Sequence, residues 1–272
     1  MPIAIGGTDM DLGLQGKTVM VAAASSGLGL AIARQCAREG ANLSIMSRSP
    51  EKIAAAADSI RQEFGVKVLA QPVDALDAEG IQGWFDRTVE SLGIPDALLV
   101  NAGGPPAGQF DDFDDVAWQA AFDLTMMSSV RMIRCALPLM RQAGNGSIVV
   151  ITSSSVKEPI DMLLLSNVMR TGVTSLVKSL SRQCAVDGIR LNTIIPGRID
   201  TPRVQALDKT AAGKKGITVA EQKASSESSI PLGRYGQPDE FAQAACFLLS
   251  EASGYVTGTA MVVDGGSMKS LF

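Results

Sequence analysis

The chain has 272 residues, 46% hydrophobic and only 4% aromatic, with 27 glycines and a net charge of −4. That length suffices for one large core, and an acidic chain with no lysine/arginine cluster argues against nucleic acid as a partner. No apolar run reaches the ~18 residues of a membrane span. The opening MPIAIGGTDMDLG has neither the basic nor the long apolar region of a secretory signal, so a cytoplasmic protein is expected.

Residues 1–16 read as an N-terminal arm, and strand-like and helix-like segments alternate from residue 17 onward. TVMVAAA (18–24) is a first apolar strand, followed by SSGLG and the helical pattern LAIARQCARE, which stops at Gly40. NLSIM (42–46) is the second strand. Ser49 then caps a helix with Pro50 at its first position, running to Gly65. VKVLAQ (66–71), ALLVN (97–101), SIVVIT (147–152), RLNTII (190–195) and TAMVVD (259–264) supply five more strands. Near-continuous apolar strands joined by helices predict a doubly wound, Rossmann-type parallel sheet of seven strands, covered on both faces. One domain over 17–272 is the expectation.

Residues 203–230, polar and rich in alanine and serine, are the irregular insert. They read either as a surface excursion or as a lid over a cleft at the carboxyl ends of the strands, and their place after the sixth strand favours the lid. The apolar PIDMLLL (159–165) reads as a substrate wall or as plain core packing. Cys36, Cys135, Cys184 and Cys246 lie in separate helical patterns, as small buried hydrophobes do. The chain has no histidine, which removes serine–histidine triads and the commonest metal ligand. No metal centre is expected.

Gly27 and Gly29 open the first helix, where free N–H groups and the helix dipole favour an anion such as a pyrophosphate. Three companions strengthen that reading: Asp74 after the third strand, NAGG (101–104) after the fourth, and PGRIDT (196–201) after the sixth. With these, residues 17–266 resemble the short-chain dehydrogenase/reductase family, its ketoacyl-carrier-protein reductase-like members in particular. The resemblance implies a nicotinamide cofactor held by Ser25, Ser26, Gly27, Leu28 and Gly29, by Asp74, Asn101, Ala102 and Gly103, and by Pro196, Gly197, Ile199 and Thr201. The family's leading Thr-Gly is replaced here by Ala22-Ala23. Ser47-Arg48 stands where an acid would select NAD, so Arg48, with Ser47 beside it, is expected to favour NADP over NAD. Through the last strand and the two long helices (114–142 and 166–187), the resemblance also implies a homo-tetramer, or a dimer; Leu124, Met127, Val130, Met132 and Ile133 are expected to offer apolar surface beyond what one sheet face covers.

The family's catalytic set is asparagine, serine, tyrosine and lysine. Ser153 matches the serine, Thr125 occupies the asparagine slot, and Ser166 and Arg170 occupy the tyrosine and lysine slots. Serine is too weak an acid to replace the tyrosine, and arginine anchors ribose hydroxyls without shuttling protons. The only tyrosines, Tyr235 and Tyr255, match structural positions of the family's last third. Of Lys157, Glu158 and Asp161 after Ser153, Asp161 is the carboxyl to watch as a substitute acid. The expected activity is reduction of an apolar carbonyl or enone by NADP(H) with an atypical site; the contrary reading is a cofactor-binding pseudoenzyme acting as sensor or scaffold.

Overall fold

The computed structural model describes residues 11–271. Residues 1–10 of the expected arm, and Phe272, lie outside the described residues. Seven strands form one sheet: β1 (Thr18–Ala22), β2 (Asn42–Ser47), β3 (Val68–Pro72), β4 (Ala97–Val100), β5 (Gly146–Ile151), β6 (Ile189–Pro196) and β7 (Ala260–Val263). Their order is β3-β2-β1-β4-β5-β6-β7, and every neighbouring pair is parallel.

Alternation along each strand feeds two separate cores. Val19 and Val21 of β1, with Leu43 and Ile45 of β2, face a layer built from α1 (Gly27–Arg38), α2 (Pro50–Phe64) and α9 (Pro238–Leu249). Met20, Ala22 and Met46 face the other way, onto α3 (Ala78–Leu92), α5 (Ser128–Ala143) and α6 (Leu164–Cys184). Because successive side chains point to opposite faces and both faces are covered, the strands read as unbroken apolar runs. Trp84 and Phe85 of α3, fully buried and edge to face, are the large aromatic fill of the second core. The Trp84 indole donates to Ser44 Oγ at 2.8 Å, so burial leaves its N–H satisfied. Cys36, Cys184 and Cys246 are buried as expected, whereas Cys135 is half-buried.

Helix starts follow the sequence where caps are explicit. Ser49 Oγ accepts from the Lys52 amide, Pro50 is the first residue of α2, and Gly65 ends it at φ 69°. The segment 203–230 departs from its reading as irregular. It forms α7 (Pro202–Lys215) and α8 (Val219–Ser228). Thr201 caps α7, Gly216 ends it in the left-handed region, and Thr218 and Glu221 form a capping box on α8. Neither helix has an apolar stripe, because only short stretches of each touch the body, so hydrophobic periodicity gave no signal.

The long helix expected over 114–142 is divided. α4 (Asp115–Ala121) passes into a π-helical segment, Phe122–Met127, before α5 begins. That segment packs against α6 and carries Thr125. Met132 and Ile133, read as surplus apolar surface, are buried in this chain's own second core, because they point from α5 toward the sheet. The exposed apolar side chains here are instead Val116, Phe122 and Val168. Among the described residues, no helix is long and apolar enough to cross a membrane.

Candidate functional site

β1 lies between β2 and β4, so chain connections leave it in opposite directions, and a crevice opens beyond the carboxyl ends of the strands. A cavity of about 510 Å³ occupies that end of the sheet. Leu28 enters it from α1, Asn101, Ala102 and Gly103 from the turn after β4, and Ser153 from the turn after β5. Ser166 and Arg170, one turn apart on one face of α6, line it too. Pro196, Gly197, Ile199 and Thr201 come from the segment after β6. A larger cavity, about 710 Å³, sits at the opposite ends of the strands and contains none of the expected cofactor or catalytic residues.

The first turn is built for close approach. Gly27 has φ 57°, and a Cβ on Gly29 would lie 2.3 Å from the Ala23 carbonyl oxygen, so α1 can begin this near β1 only with glycine there. Ala23 itself sits at φ 52°, the only non-glycine at positive φ among the described residues. The loss of the leading glycine therefore leaves the backbone shape in place, at a cost of ~1–2 kcal/mol for an L-residue in the left-handed region. Ser26 caps α1 with extended backbone but makes no side-chain cap bond, which leaves the N-terminal amides open to another acceptor. Ser25 is part of the same turn.

Ser47, Arg48 and Asp74 lie farther along the same carboxyl edge, outside the cavity, at the ends of β2 and β3. Ser47 Oγ is enclosed without a hydrogen-bond partner, and Arg48 beside it is exposed. Asp74 Oδ1 accepts from the Leu76 amide at 3.0 Å and so holds its own turn. Thr125 does not line the cavity. Its Oγ1 is buried and unpartnered, while its carbonyl accepts from Ser129 Oγ at 2.9 Å.

Arg170 Nη1 donates to the carbonyls of Ile151 (3.1 Å) and Thr152 (3.3 Å), which fixes the guanidinium at the end of β5. Burial, with the charge of Arg203 adding to it, pushes its pKa down to about 10, so it stays protonated near neutrality. Ser153 Oγ accepts from the Ser155 amide. Neither tyrosine reaches the cavity. The buried Tyr235 hydroxyl donates to Asp208 Oδ2 at 2.9 Å, and burial raises its pKa; Tyr255 is fully exposed and lines the opposite cavity.

Asp161 is not the carboxyl of the cleft. It lies in an exposed turn, because the chain folds back there to begin α6, and Glu158 lines the cavity instead. Glu158 Oε1 accepts from the amides of Lys269 and Ser270 at 2.6 and 2.7 Å, which ties the C-terminal segment across the site. The wall from PIDMLLL is carried by Pro159, Ile160 and Leu163. Arg203, Leu207 and Ile230, from the segment read as a lid, and Met268 also line the cavity, though the sequence singled out none of them individually. Only the Thr201-Pro202 pair, a cap followed by proline at the first helical position, signals that a helix begins at the cleft.

An open parallel sheet with a glycine-bearing turn and a cleft at its switch point defines a Rossmann-type α/β protein. A sequence model described as enoyl-(acyl carrier protein) reductase matches residues 22–268. Dehydrogenase/reductase SDR family member 4 of Oryctolagus cuniculus is 30% identical over 255 residues, 93% of this chain and 94% of that protein. L-sorbose reductase from Gluconobacter frateurii, in a crystal structure with NADPH and L-sorbose, superposes with a TM-score of 0.92 at 33% identity, covering 96% of this chain and 100% of the other. An NADPH-bound short chain oxidoreductase from Pseudomonas aeruginosa PAO1, described as containing an atypical catalytic center, gives 0.87 at 30% identity, covering 94% and 98%. The chain belongs to the short-chain dehydrogenase/reductase superfamily, a group of oxidoreductases.

Proposed function

We propose that the chain is a cytoplasmic NADP(H)-dependent oxidoreductase that reduces a carbonyl or an enone without the family's tyrosine and lysine. The observation that supports this most is the convergence of the α1 start with the turns after β4, β5 and β6 on one cleft that Ser153, Ser166 and Arg170 also line. Relatives described with NADPH bound share the whole fold.

The cleft's residues suit the cofactor. The uncapped start of α1 offers amides to a pyrophosphate. Asp74, Asn101, Ala102 and Gly103 take the adenosine side, and Arg170 anchors the nicotinamide ribose. Pro196, Gly197, Ile199 and Thr201 hold the carboxamide. Arg48 meets a 2′-phosphate, and the enclosed Ser47 hydroxyl beside it is a donor left without a protein partner. The bound cofactor supplies hydride. Ser153 and Ser166 donate hydrogen bonds to the substrate oxygen as negative charge gathers there, and water supplies the proton.

Magnitudes allow turnover without a phenol. A general acid contributes ~10²–10⁴ in rate, or roughly 3–5 kcal/mol, whereas positioning can contribute ~7–11 kcal/mol. An activated C=C bond needs the acid least, since its enolate spreads charge. The second reading, a cofactor-binding protein without turnover, draws on a cavity lining that includes neither tyrosine. NADPH consumption against ketones, quinones and enones, measured beside NADPH fluorescence titration, separates the two: binding with no consumption supports the second reading.

Arg48→Ala is expected to weaken NADPH by ~1.5–3 kcal/mol, one lost charge-assisted bond, and to leave NADH nearly unchanged. Equal affinity of the unaltered protein for both cofactors would remove this assignment. The chain is further proposed to assemble as a tetramer through α4, α5, α6 and β7, where Val116 and Val168 are exposed. Light scattering at micromolar concentration should give a multiple of the 28.4 kDa protomer, and a monomer mass would end this proposal.

A further inference from the structure

Two of the cleft's arginines have no direct ion-pair partner among the described residues. Three arginines line the cleft: Arg170, Arg198 and Arg203. Arg198 is paired with the buried Asp208 carboxylate at 2.7 Å. Lys223 of α8 is likewise paired, with Asp200 at 2.8 Å. Among the described residues, Arg170 has only the neutral carbonyls of Ile151 and Thr152 as partners, so its charge is held in place without a direct counter-charge. Arg203, in the first turn of α7, has neither an ion pair nor a hydrogen bond among the described residues.

Two carboxylates also line the cleft, and backbone amides rather than arginines hold them. Glu158 Oε1 takes the Lys269 and Ser270 amides. Asp264 takes the Gly266 amide on Oδ1 at 2.9 Å and the Met268 amide on Oδ2 at 2.7 Å.

Arg203 is exposed and stands at the mouth of the cleft. Its guanidinium lies against Gly104, where an added Cβ would come within 2.6 Å of Nη2 and 3.1 Å of Cζ. Glycine at 104 leaves the guanidinium room in this position. Burial first, and the charge of Arg203 second, lower the Arg170 pKa. Two cations facing one space repel each other unless an anion sits with them. The rest of the wall is apolar: Ile160, Leu163, Leu207, Ile230 and Met268.

We propose that Arg203 receives the carboxylate of the substrate, so that the substrate class is a keto acid with an apolar body. This rests on reading the cleft as an NADP(H) reductase site and narrows what it accepts. The cofactor's own pyrophosphate offers the same anionic oxygens, so the test separates the two sources. Protein loaded with NADP⁺ is titrated by calorimetry with 4-oxopentanoate and 7-oxooctanoate, and with the methyl ester of each. The acids should bind at least tenfold more tightly than their esters. Arg203→Ala should abolish that difference and leave NADPH affinity within about twofold, while Arg203→Lys should retain part of it. Equal binding of acid and ester, or binding of neither, overturns the proposal. So does a tenfold loss of NADPH affinity in Arg203→Ala, which assigns the arginine to the pyrophosphate. Failure of the unaltered protein to bind NADPH is a different result: it removes the reductase reading itself.

Discussion

Ser166→Tyr combined with Arg170→Lys is expected to raise NADPH-dependent ketone reduction toward the ~10²–10⁴ range of a general acid. The two positions lie one turn apart on α6 and both line the cleft, so a phenol and an ammonium placed there would project side by side. Ser166 is only 7% exposed, and the new ring must extend into the cavity of about 510 Å³. Either change alone should do less. A tyrosine without the lysine keeps a pKa near ~10, and a lysine without the tyrosine has nothing to activate, so the two effects couple rather than add. Thr125 sets the ceiling, since its buried and unpartnered Oγ1 is shorter than an asparagine amide and stands outside the cleft. Initial rates of NADPH oxidation with a ketone panel check this; a double variant no faster than the parent contradicts it.

The fold was legible because its strands are buried on both faces. TVMVA, SIVVI and RLNTII stand out as apolar runs without any periodic reading, and all seven expected strands are present within one or two residues of their predicted ends. Explicit caps carried the helix boundaries: Ser49, Pro50 and Gly65 bracket α2. The helices α7 and α8 were not legible as helices, because their signals are caps and a terminal glycine rather than an apolar stripe. The π-helical break at Phe122–Met127 had no proline or glycine to announce it, and the packing of that segment on α6 is a tertiary contact.

The site divides in the same way. Residues tied to strand ends, such as Asn101, Ser153 and Pro196, reach the cleft because a parallel sheet aligns those ends. Asp161 and Glu158 differ by three positions in one loop, and only the folded turn decides which one faces inward. Arg203 and Met268 come from segments distant in sequence, and nothing local in the chain marks them as neighbours of Ser153.

The central claim is that α6 has exchanged an acid-and-anchor pair for an anchor alone, with Arg170 holding the nicotinamide ribose and Ser166 supplying no proton. The direct measurement is NADPH titration by fluorescence of the parent, Arg170→Ala and Ser166→Ala. Arg170→Ala should weaken NADPH by ~1.5–3 kcal/mol, about ten- to a hundredfold, and Ser166→Ala should stay within about twofold. Because Arg170 also holds the Ile151 and Thr152 carbonyls, Arg170→Lys serves as the control: it keeps a cation on α6 and should recover much of the affinity. An Arg170→Ala protein that is folded and binds NADPH as tightly as the parent would contradict the account, since Arg170 would then not be the anchor.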